Sequence, residues 1–200
     1  IDTPGHVDFT YEVSRSLAAC EGAVLLVDAS QGVEAQTVGN AFLAVEAGIT
    51  VIPVVNKIDL PSADYEDSAM ELADLLGIDP GEVLAVSAKT GEGVKELLEE
   101  IIRRVPPPRA ETELPLRAMV FDSTYDLYRG VVAFVRVAEG VVRKGMKARF
   151  MVEGTAVEID EVGYFSPDMI STGSLEAGDV GYIITGIKDV TRIKVGDTVT

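Results

Sequence analysis

Three short, uninterrupted apolar runs, separated by segments with helical spacing, constrain the fold of this chain more than any other feature. The runs cover residues 23–27, 51–55 and 83–86. A strand that is apolar along its whole length is typical of a parallel sheet covered on both faces. Because strands and helices alternate along the chain, we predict an α/β fold with a parallel sheet. The predicted helices cover residues 7–19, 35–47, 65–76 and 94–104.

Capping and turn residues support these boundaries. Asp64 precedes the third predicted helix and suits an N-cap, and Gly48 and Gly77 stand where helix C-caps are expected. Pro53 lies inside the second run and has no N–H to donate to a neighbouring strand. We therefore expect its nitrogen to face away from a partner strand or to mark a bulge.

The pattern of the chain changes near residue 110. Three consecutive prolines at 106–108 end the last predicted helix, and a short polar segment follows. Beyond it, apolar and polar residues alternate, as in residues 131–137, and glycines recur at short intervals. This pattern is typical of short antiparallel strands joined by turns. We predict an α/β domain over residues 1–105, a linker over 106–113 and a small antiparallel β-barrel over 114–200.

Composition excludes several classes of protein. Apolar residues make up 47% of the 200, which is ample for a packed core and argues against disorder. The apolar runs are far shorter than the roughly 18 to 20 residues that span a bilayer, and the first residues do not resemble a signal peptide. Cys20 is the single cysteine, so no internal disulfide forms, which suits a reducing compartment.

The acidic charge of the chain is unevenly distributed. The net charge is -16, of which residues 1–108 carry -13 and residues 109–200 carry -3. Phosphate binding depends on local Lys and Arg density, so a polyanion would be bound by the second half. The basic cluster there consists of Arg143, Lys144, Lys147 and Arg149. A solvated turn at the barrel edge is the alternative interpretation of this cluster.

Polar motifs stand where the predicted strands end. Ligands of open parallel sheets bind beyond the carboxyl ends of the strands, because loops converge there and helix N-termini point N–H groups at them. One motif opens the chain, the second follows the run at 51–55, and the last follows the run at 83–86. We predict that these motifs form a nucleotide site. The predicted site residues are Asp2, Thr3, Pro4, Gly5, His6, Asn56, Lys57, Asp59, Ser87, Ala88 and Lys89.

The second and last motifs have the chemistry needed to select guanine. A carboxylate at Asp59 accepts from the N1 and N2 hydrogens of guanine and so distinguishes it from adenine. Asn56 would bond the base and brace the loops, and Lys57 would lay its stem over the ring. Ser87, Ala88 and Lys89 would close the other face with backbone donors. Taken alone, Asn56 and Asp59 also suit a polar turn after a strand, but three motifs in order favour the nucleotide site.

The opening motif suits the phosphate end of the same nucleotide. Asp2, at the tip of a strand ending with Ile1, would hold Mg²⁺ through a water, and Gly5 would let the backbone approach a γ-phosphate. His6 follows directly and can reach the water that attacks in line. The alternative for this single histidine is a structural hydrogen-bonding role. A Gly-x-x-x-x-Gly-Lys-[Ser/Thr] phosphate loop does not occur in these residues, so they predict only half of a GTPase site.

These motifs resemble those of the translational GTPases, which read Asp-Thr-Pro-Gly-His, Asn-Lys-Ile-Asp and Ser-Ala-Lys. Within that group the chain looks like the elongation factor 4 (LepA) family over essentially its whole length. It departs from the family at Thr124, where an aromatic residue is usual. The similar stretches are residues 7–22, 105–108, 121–123, 125–126, 128–132 and 186–190.

The resemblance implies a ribosome-dependent GTPase that uses GTP, GDP and Mg²⁺ and acts on stalled or mistranslocated ribosomes. Implied partners are ribosomal RNA and ribosomal proteins, with tRNA as a further option. The implied location is the bacterial cytoplasm, or the matrix or stroma of a bacterial-type organelle, with peripheral membrane association as a further option.

Other interpretations stay open at this point. A related factor such as elongation factor G shares the motifs, and a non-catalytic module could bind the ribosome through the barrel alone. The family's phosphate loop and first switch are missing from these residues. We therefore expect an internal segment that by itself neither hydrolyses GTP nor binds it tightly. Its strand at 23–27 would also lack one neighbour in the sheet.

Overall fold

Two units, Ile1–Pro107 and Pro108–Thr200, make up the chain. The structure is a computed structural model and describes residues 1–3 and 10–200. Of the predicted site residues, Pro4, Gly5 and His6 lie outside the described residues. The first three residues of the predicted helix over 7–19 lie outside them as well.

The first unit is an α/β fold with a parallel sheet, as predicted. Its three strands pair in the order β1-β2-β3 and are all parallel. The predicted helices over 65–76 and 94–104 have the predicted bounds. The elements are α1 (Thr10–Ala18), β1 (Gly22–Asp28), α2 (Ala35–Glu46), β2 (Thr50–Asn56), α3 (Tyr65–Leu76), β3 (Leu84–Ala85) and α4 (Val94–Arg104).

The third strand is shorter than the apolar run at 83–86 predicts. Val83 donates its N–H to the carbonyl of Pro80 and so closes a single 3-10 turn before β3 begins. Val86 follows β3 and still donates its N–H to Val55. Only two residues of the apolar run therefore have strand geometry; these two are half-buried, whereas Val83 and Val86 on either side are buried.

Helix ends follow the predicted caps, with one shift. The Asp64 side chain accepts the N–H of Asp67 at the start of α3, and Gly77 ends that helix in the left-handed region with φ 68°. At the end of α2 the C-cap is Ala47, and Gly48 follows it with φ 68°. Gly48, the predicted cap, thus stands one residue beyond the observed cap, where a left-handed residue is common.

Pro53 is accommodated at the end of β2 that β3 does not reach. The carbonyl of Val55 faces β3, because it accepts the N–H of Val86, and alternation along a strand directs Pro53 to the same edge. Strand β3 pairs with β2 only at Val54 and Val55. Near this end, Nη2 of Arg104 donates to the carbonyl of Val51 at 3.4 Å. The missing N–H therefore costs no ladder bond, which confirms the prediction.

Strand β1 forms one edge of this sheet. Within the described residues it pairs with β2 alone. Val24 and Leu26 on β1 are 39% and 52% exposed, and both line a groove of about 730 Å³ that Ile101 and Val105 also line. The apolar pattern of β1 therefore extends to a face that the described residues leave partly uncovered.

The second unit is an antiparallel β domain, as predicted. Eight strands pair in the order β10-β9-β12-β5-β4-β13-β7-β8, and β6 pairs with β11. The strands are β4 (Arg117–Asp126), β5 (Gly130–Glu139), β6 (Val141–Arg143), β7 (Lys147–Phe150), β8 (Thr155–Glu158), β9 (Glu161–Ser166), β10 (Asp168–Thr172), β11 (Ser174–Glu176), β12 (Val180–Ile184) and β13 (Thr198–Val199).

Two hydrophobic clusters fill the described part of the second unit, and the larger one contains most of its buried apolar residues. Val120, Val135 and Phe150 are fully buried in it, together with residues from both sheets. Asp197 is also buried, and its Oδ1 accepts the N–H groups of Val152 and Thr198. The strands thus wrap around a common interior, as expected for a small barrel.

Among the helices that the structure describes, none has the length and apolar content needed to cross a membrane.

Candidate functional site

The carboxyl ends of the three parallel strands bring the second and last motifs together. Asp28, the last residue of β1, pairs in register with Asn56, the last residue of β2. The segment after β3 continues into Ser87 and Ala88, beside the loop that follows Asn56. The motifs separated by some thirty residues in sequence therefore meet at one edge of the sheet, where open α/β sheets bind ligands.

Asn56 ties the two loops to each other. Its Oδ1 accepts the N–H of Ala88 at 3.0 Å. The second loop is itself closed, since Ser87 donates its N–H to the carbonyl of Glu92 and accepts the N–H of Gly91 at its own carbonyl. The predicted bracing role of Asn56 therefore has a defined partner in this structure.

The carboxylate of Asp59 is oriented by the same loop. The Ser87 hydroxyl, which is fully buried, donates to Oδ1 at 2.7 Å. Nζ of Lys89 lies 3.8 Å from Oδ2, and the Asp59 side chain is only 16% exposed. Each carboxylate oxygen can accept more than one hydrogen bond, so Asp59 keeps free acceptor capacity toward a donor pair beyond the strand ends.

Lys57 has an unusual backbone and a partner that the motifs do not contain. Its φ is 66°, and it is the one non-glycine residue with positive φ in the described part of the chain. Its Nζ lies 2.5 Å from Oδ2 of Asp28. This hydrogen bond, with those from Ser30, lowers the pKa of Asp28 to about 2. Asp28 was missed by motif reasoning, although its position directly after the apolar run 23–27 could have indicated it.

The phosphate end of the predicted site is only partly described. Asp2 is exposed and Thr3 is half-buried, and both line the groove along β1 that Asp28 also lines. No group of three His, Cys, Asp or Glu side chains in residues 1–3 and 10–200 is arranged to hold a metal ion. Within these described residues, Asp2 is the one carboxylate that the sequence predicts as a Mg²⁺ ligand.

The basic cluster of the second unit lies on exposed positions. Arg143 ends β6, Lys144 follows it, and Lys147 and Arg149 alternate with buried residues on β7. Lys147 pairs in register with Glu158 on β8. All four side chains therefore face solvent, and one of them, Lys147, has an acidic residue, Glu158, opposite it on the neighbouring strand.

Comparison with known families matches both units. Residues 1–107 match the family model described as the elongation factor Tu GTP binding domain. Residues 130–200 match the one described as elongation factor Tu domain 2.

Individual relatives agree with these matches. The chain is 60% identical to elongation factor 4 of Micrococcus luteus and 59% identical to that of Chlorobium phaeobacteroides, over all 200 residues. It spans 32% and 33% of those two proteins, about a third of their length. The predicted resemblance to elongation factor 4 is thereby confirmed.

Solved structures agree on the fold. The translation elongation factor SelB of Methanococcus maripaludis, in complex with the GTP analogue GppNHp, matches with a TM-score of 0.81 at 24% identity. This match covers all of the chain and 45% of SelB. The apo form of SelB matches with a TM-score of 0.76 at 25% identity and is covered over 46% of its length.

Proposed function

Because the chain belongs to the family of the elongation factor Tu GTP-binding domain, we propose that it supplies the guanine-binding half of a longer GTPase similar to elongation factor 4. The observation that carries this proposal is the orientation of Asp59. Ser87 holds one oxygen of its carboxylate at 2.7 Å, and Asn56 holds the neighbouring loop through Ala88. An acceptor placed in advance at a strand end is what recognition of guanine requires.

Base selection follows from this arrangement. Asp59 accepts from N1 and N2 of guanine, which adenine does not offer in the same pattern. Asn56 and the backbone of Ala88 and Lys89 close the site around the ring, and the stem of Lys57 covers one face. The same contacts serve GTP and GDP, because none of them touches a phosphate.

The phosphate end is assigned to the opening motif. Asp2 would hold Mg²⁺ through a water, and Thr3, Pro4 and Gly5 would bring the backbone near the γ-phosphate. Mg²⁺ held there would supply positive charge to offset the negative charge of the phosphates. His6 is the catalytic residue and orients the attacking water. A single carboxylate near the phosphates suits Mg²⁺, which usually keeps several waters and takes further ligands from phosphates.

The relatives' names support a proposed activity in translation. We assign the ribosome as partner, with ribosomal RNA and proteins in contact with the second unit and tRNA as an additional ligand. The ribosomes that the full-length protein acts on are proposed to be stalled or mistranslocated. The basic cluster, Arg143, Lys144, Lys147 and Arg149, is the proposed electrostatic contact. The proposed location is cytoplasmic, with peripheral membrane association as an extension. The proposed domain bounds are 1–105 and 114–200, with a linker over 106–113.

Exchange of the guanine acceptor tests the proposal. In the full-length protein that contains this chain, Asp59→Asn replaces an acceptor by a donor. We expect at least about 100-fold weaker GDP binding and a gain in xanthosine diphosphate binding. Titration with fluorescent analogues of both nucleotides measures the change.

The matched control is Asp74→Asn, an exposed carboxylate on α3 outside the site. It makes the same chemical change and should leave both affinities at the parent values. Equal GDP affinity in Asp59→Asn and the parent would remove Asp59 from the site and defeat the proposal.

A further inference from the structure

Asp28 is held in one orientation by the turn that follows β1. Its Oδ1 accepts the N–H of Ser30 at 2.8 Å and the hydroxyl of Ser30 at 2.6 Å. Its backbone carbonyl accepts the N–H groups of Gln31 and Gly32. One carboxylate oxygen is thus used by the turn, and the side chain is only 16% exposed. The other oxygen, Oδ2, is left facing the tip of β2.

That second oxygen holds the ammonium group of Lys57. The two atoms are 2.5 Å apart, while the Lys57 side chain as a whole is 52% exposed. A lysine on an exposed loop otherwise samples many rotamers, because its four-carbon stem is flexible. The left-handed backbone of Lys57 is sparsely populated by residues with a side chain, and such backbones cluster at functional sites. Both ends of this side chain are therefore constrained.

The ion pair is not needed to join the two strands. β1 and β2 already pair over seven residues from Gly22 to Asp28, and Ala29 donates its N–H to the carbonyl of Asn56 just beyond. Exposed or half-exposed ion pairs add little to stability. The ion pair therefore constrains the Lys57 side chain without being needed for the fold. This favours a role for the ion pair in binding the ligand that Lys57 contacts.

We propose that Asp28 is a positioning residue for guanine-nucleotide binding. Its carboxylate fixes the ammonium of Lys57 so that the methylene stem is already in place against the purine ring before the nucleotide arrives. The inference rests on the proposed function, because Lys57 contacts the base only if this is the guanine site. Pre-organisation of a flexible side chain raises affinity by removing the cost of ordering it on binding.

The test is a double-mutant cycle in the full-length protein, read by GDP affinity. Asp28→Asn keeps an Oδ1 acceptor for Ser30 and removes the charge that holds Lys57. Lys57→Met keeps an unbranched apolar stem and removes the ammonium. We expect each single variant to bind GDP roughly three- to tenfold more weakly, and the double variant to bind no more weakly than Lys57→Met. Asp74→Asn makes the same chemical change at an exposed carboxylate on α3, outside the site, and as the control should change the affinity less than about twofold.

Inosine diphosphate separates positioning from base reading. It lacks the N2 amino group that Asp59 accepts from, but it has the same ring faces. Asp28→Asn should therefore weaken GDP and inosine diphosphate by the same factor. Asp59→Asn should change the ratio of the two affinities.

Three outcomes would contradict the proposals, and they distinguish failure of the positioning role from failure of the proposed function. Parent affinity in Asp28→Asn together with a weakened Lys57→Met defeats the positioning role and leaves the proposed function intact. Additive losses in the cycle, with a lowered unfolding temperature for Asp28→Asn, show a purely structural role. Parent affinity in Lys57→Met and Asp59→Asn alike defeats the proposed function itself.

Discussion

The edge strand of the first unit and the core strands of the second unit bury their apolar residues to different extents. In the second unit Val120, Val135 and Phe150 are fully buried inside strands that pair around one interior. In the first unit the edge strand β1 leaves Val24 39% and Leu26 52% exposed. The antiparallel unit is enclosed by its own strands, whereas the parallel sheet needs cover on both faces and beyond its edge.

The candidate site lies in the first unit, although that unit has the less enclosed sheet. The loops with defined side-chain geometry, around Asn56, Asp59 and Ser87, belong to the less enclosed unit. These loops depend on the ends of β2 and β3, which are the central and far strands of the sheet. The loops after β2 and β3 can therefore adopt their geometry although β1, on the other side of β2, is partly exposed.

The largest expected effect is on core packing. Phe150→Ala leaves a cavity in the second unit and should lower the free energy of unfolding by about 3–5 kcal/mol. Leu26→Ala removes a half-exposed side chain from the first unit and should cost under about 1 kcal/mol. Calorimetric unfolding of the 200-residue chain measures both. Similar losses for the two variants would show that β1 is covered as fully as the second unit's core.

The next effect concerns catalysis, which we assign to the first unit alone. In the full-length protein, His6→Ala should slow ribosome-stimulated hydrolysis at least about 100-fold and leave GTP affinity nearly unchanged, because the group acts mainly in the transition state. Single-turnover hydrolysis on purified ribosomes is the measurement. Parent turnover in this variant would return His6 to a structural role.

A third effect is on association of the purified chain. The open edge and exposed face of β1 should make the 200-residue chain self-associate, while Leu26→Lys should reduce the association by placing a charge on that face. The same chain should bind a fluorescent GTP analogue only weakly. Light scattering and titration together test this, and tight Mg²⁺-dependent binding by a monomer would contradict it.

The smallest expected effect is electrostatic and lies in the second unit. Reversing Arg143 and Lys144 to Glu in the full-length protein should weaken ribosome binding by about tenfold or less and flatten its salt dependence. Affinity measured at several salt concentrations gives the slope. If the slope and the affinity both match the parent, the basic cluster is solvated surface.

The sequence predicted best what short-range patterns determine. The periodicity over 65–76 and 94–104 gave the bounds of α3 and α4, and Pro53 indicated an unpaired edge. Strand β3 was overestimated, because the apolar run does not reveal the turn that Pro80 closes. The position of β13 between β4 and β7 depends on pairing between distant segments, which has no local signature.

Motif reasoning likewise identified part of the candidate site. It named Asn56, Asp59 and Ser87, which the strand ends bring together, but it missed Asp28. That residue acts through a partner distant in sequence, and an acidic residue after a strand is common in turns. The binding roles of all the site residues stay predictions, including those of Pro4, Gly5 and His6, which lie outside the described residues.

The hydrogen bond between Asn56 and Ala88 has a consequence for solvent exchange. Ala88 is an exposed residue in a surface loop, and its amide proton would normally exchange quickly with water. Because Oδ1 of Asn56 accepts that proton at 3.0 Å, exchange has to wait until the loop detaches from the end of β2. The exchange rate of this one exposed amide thus reports how often the Ala88 loop detaches from the end of β2.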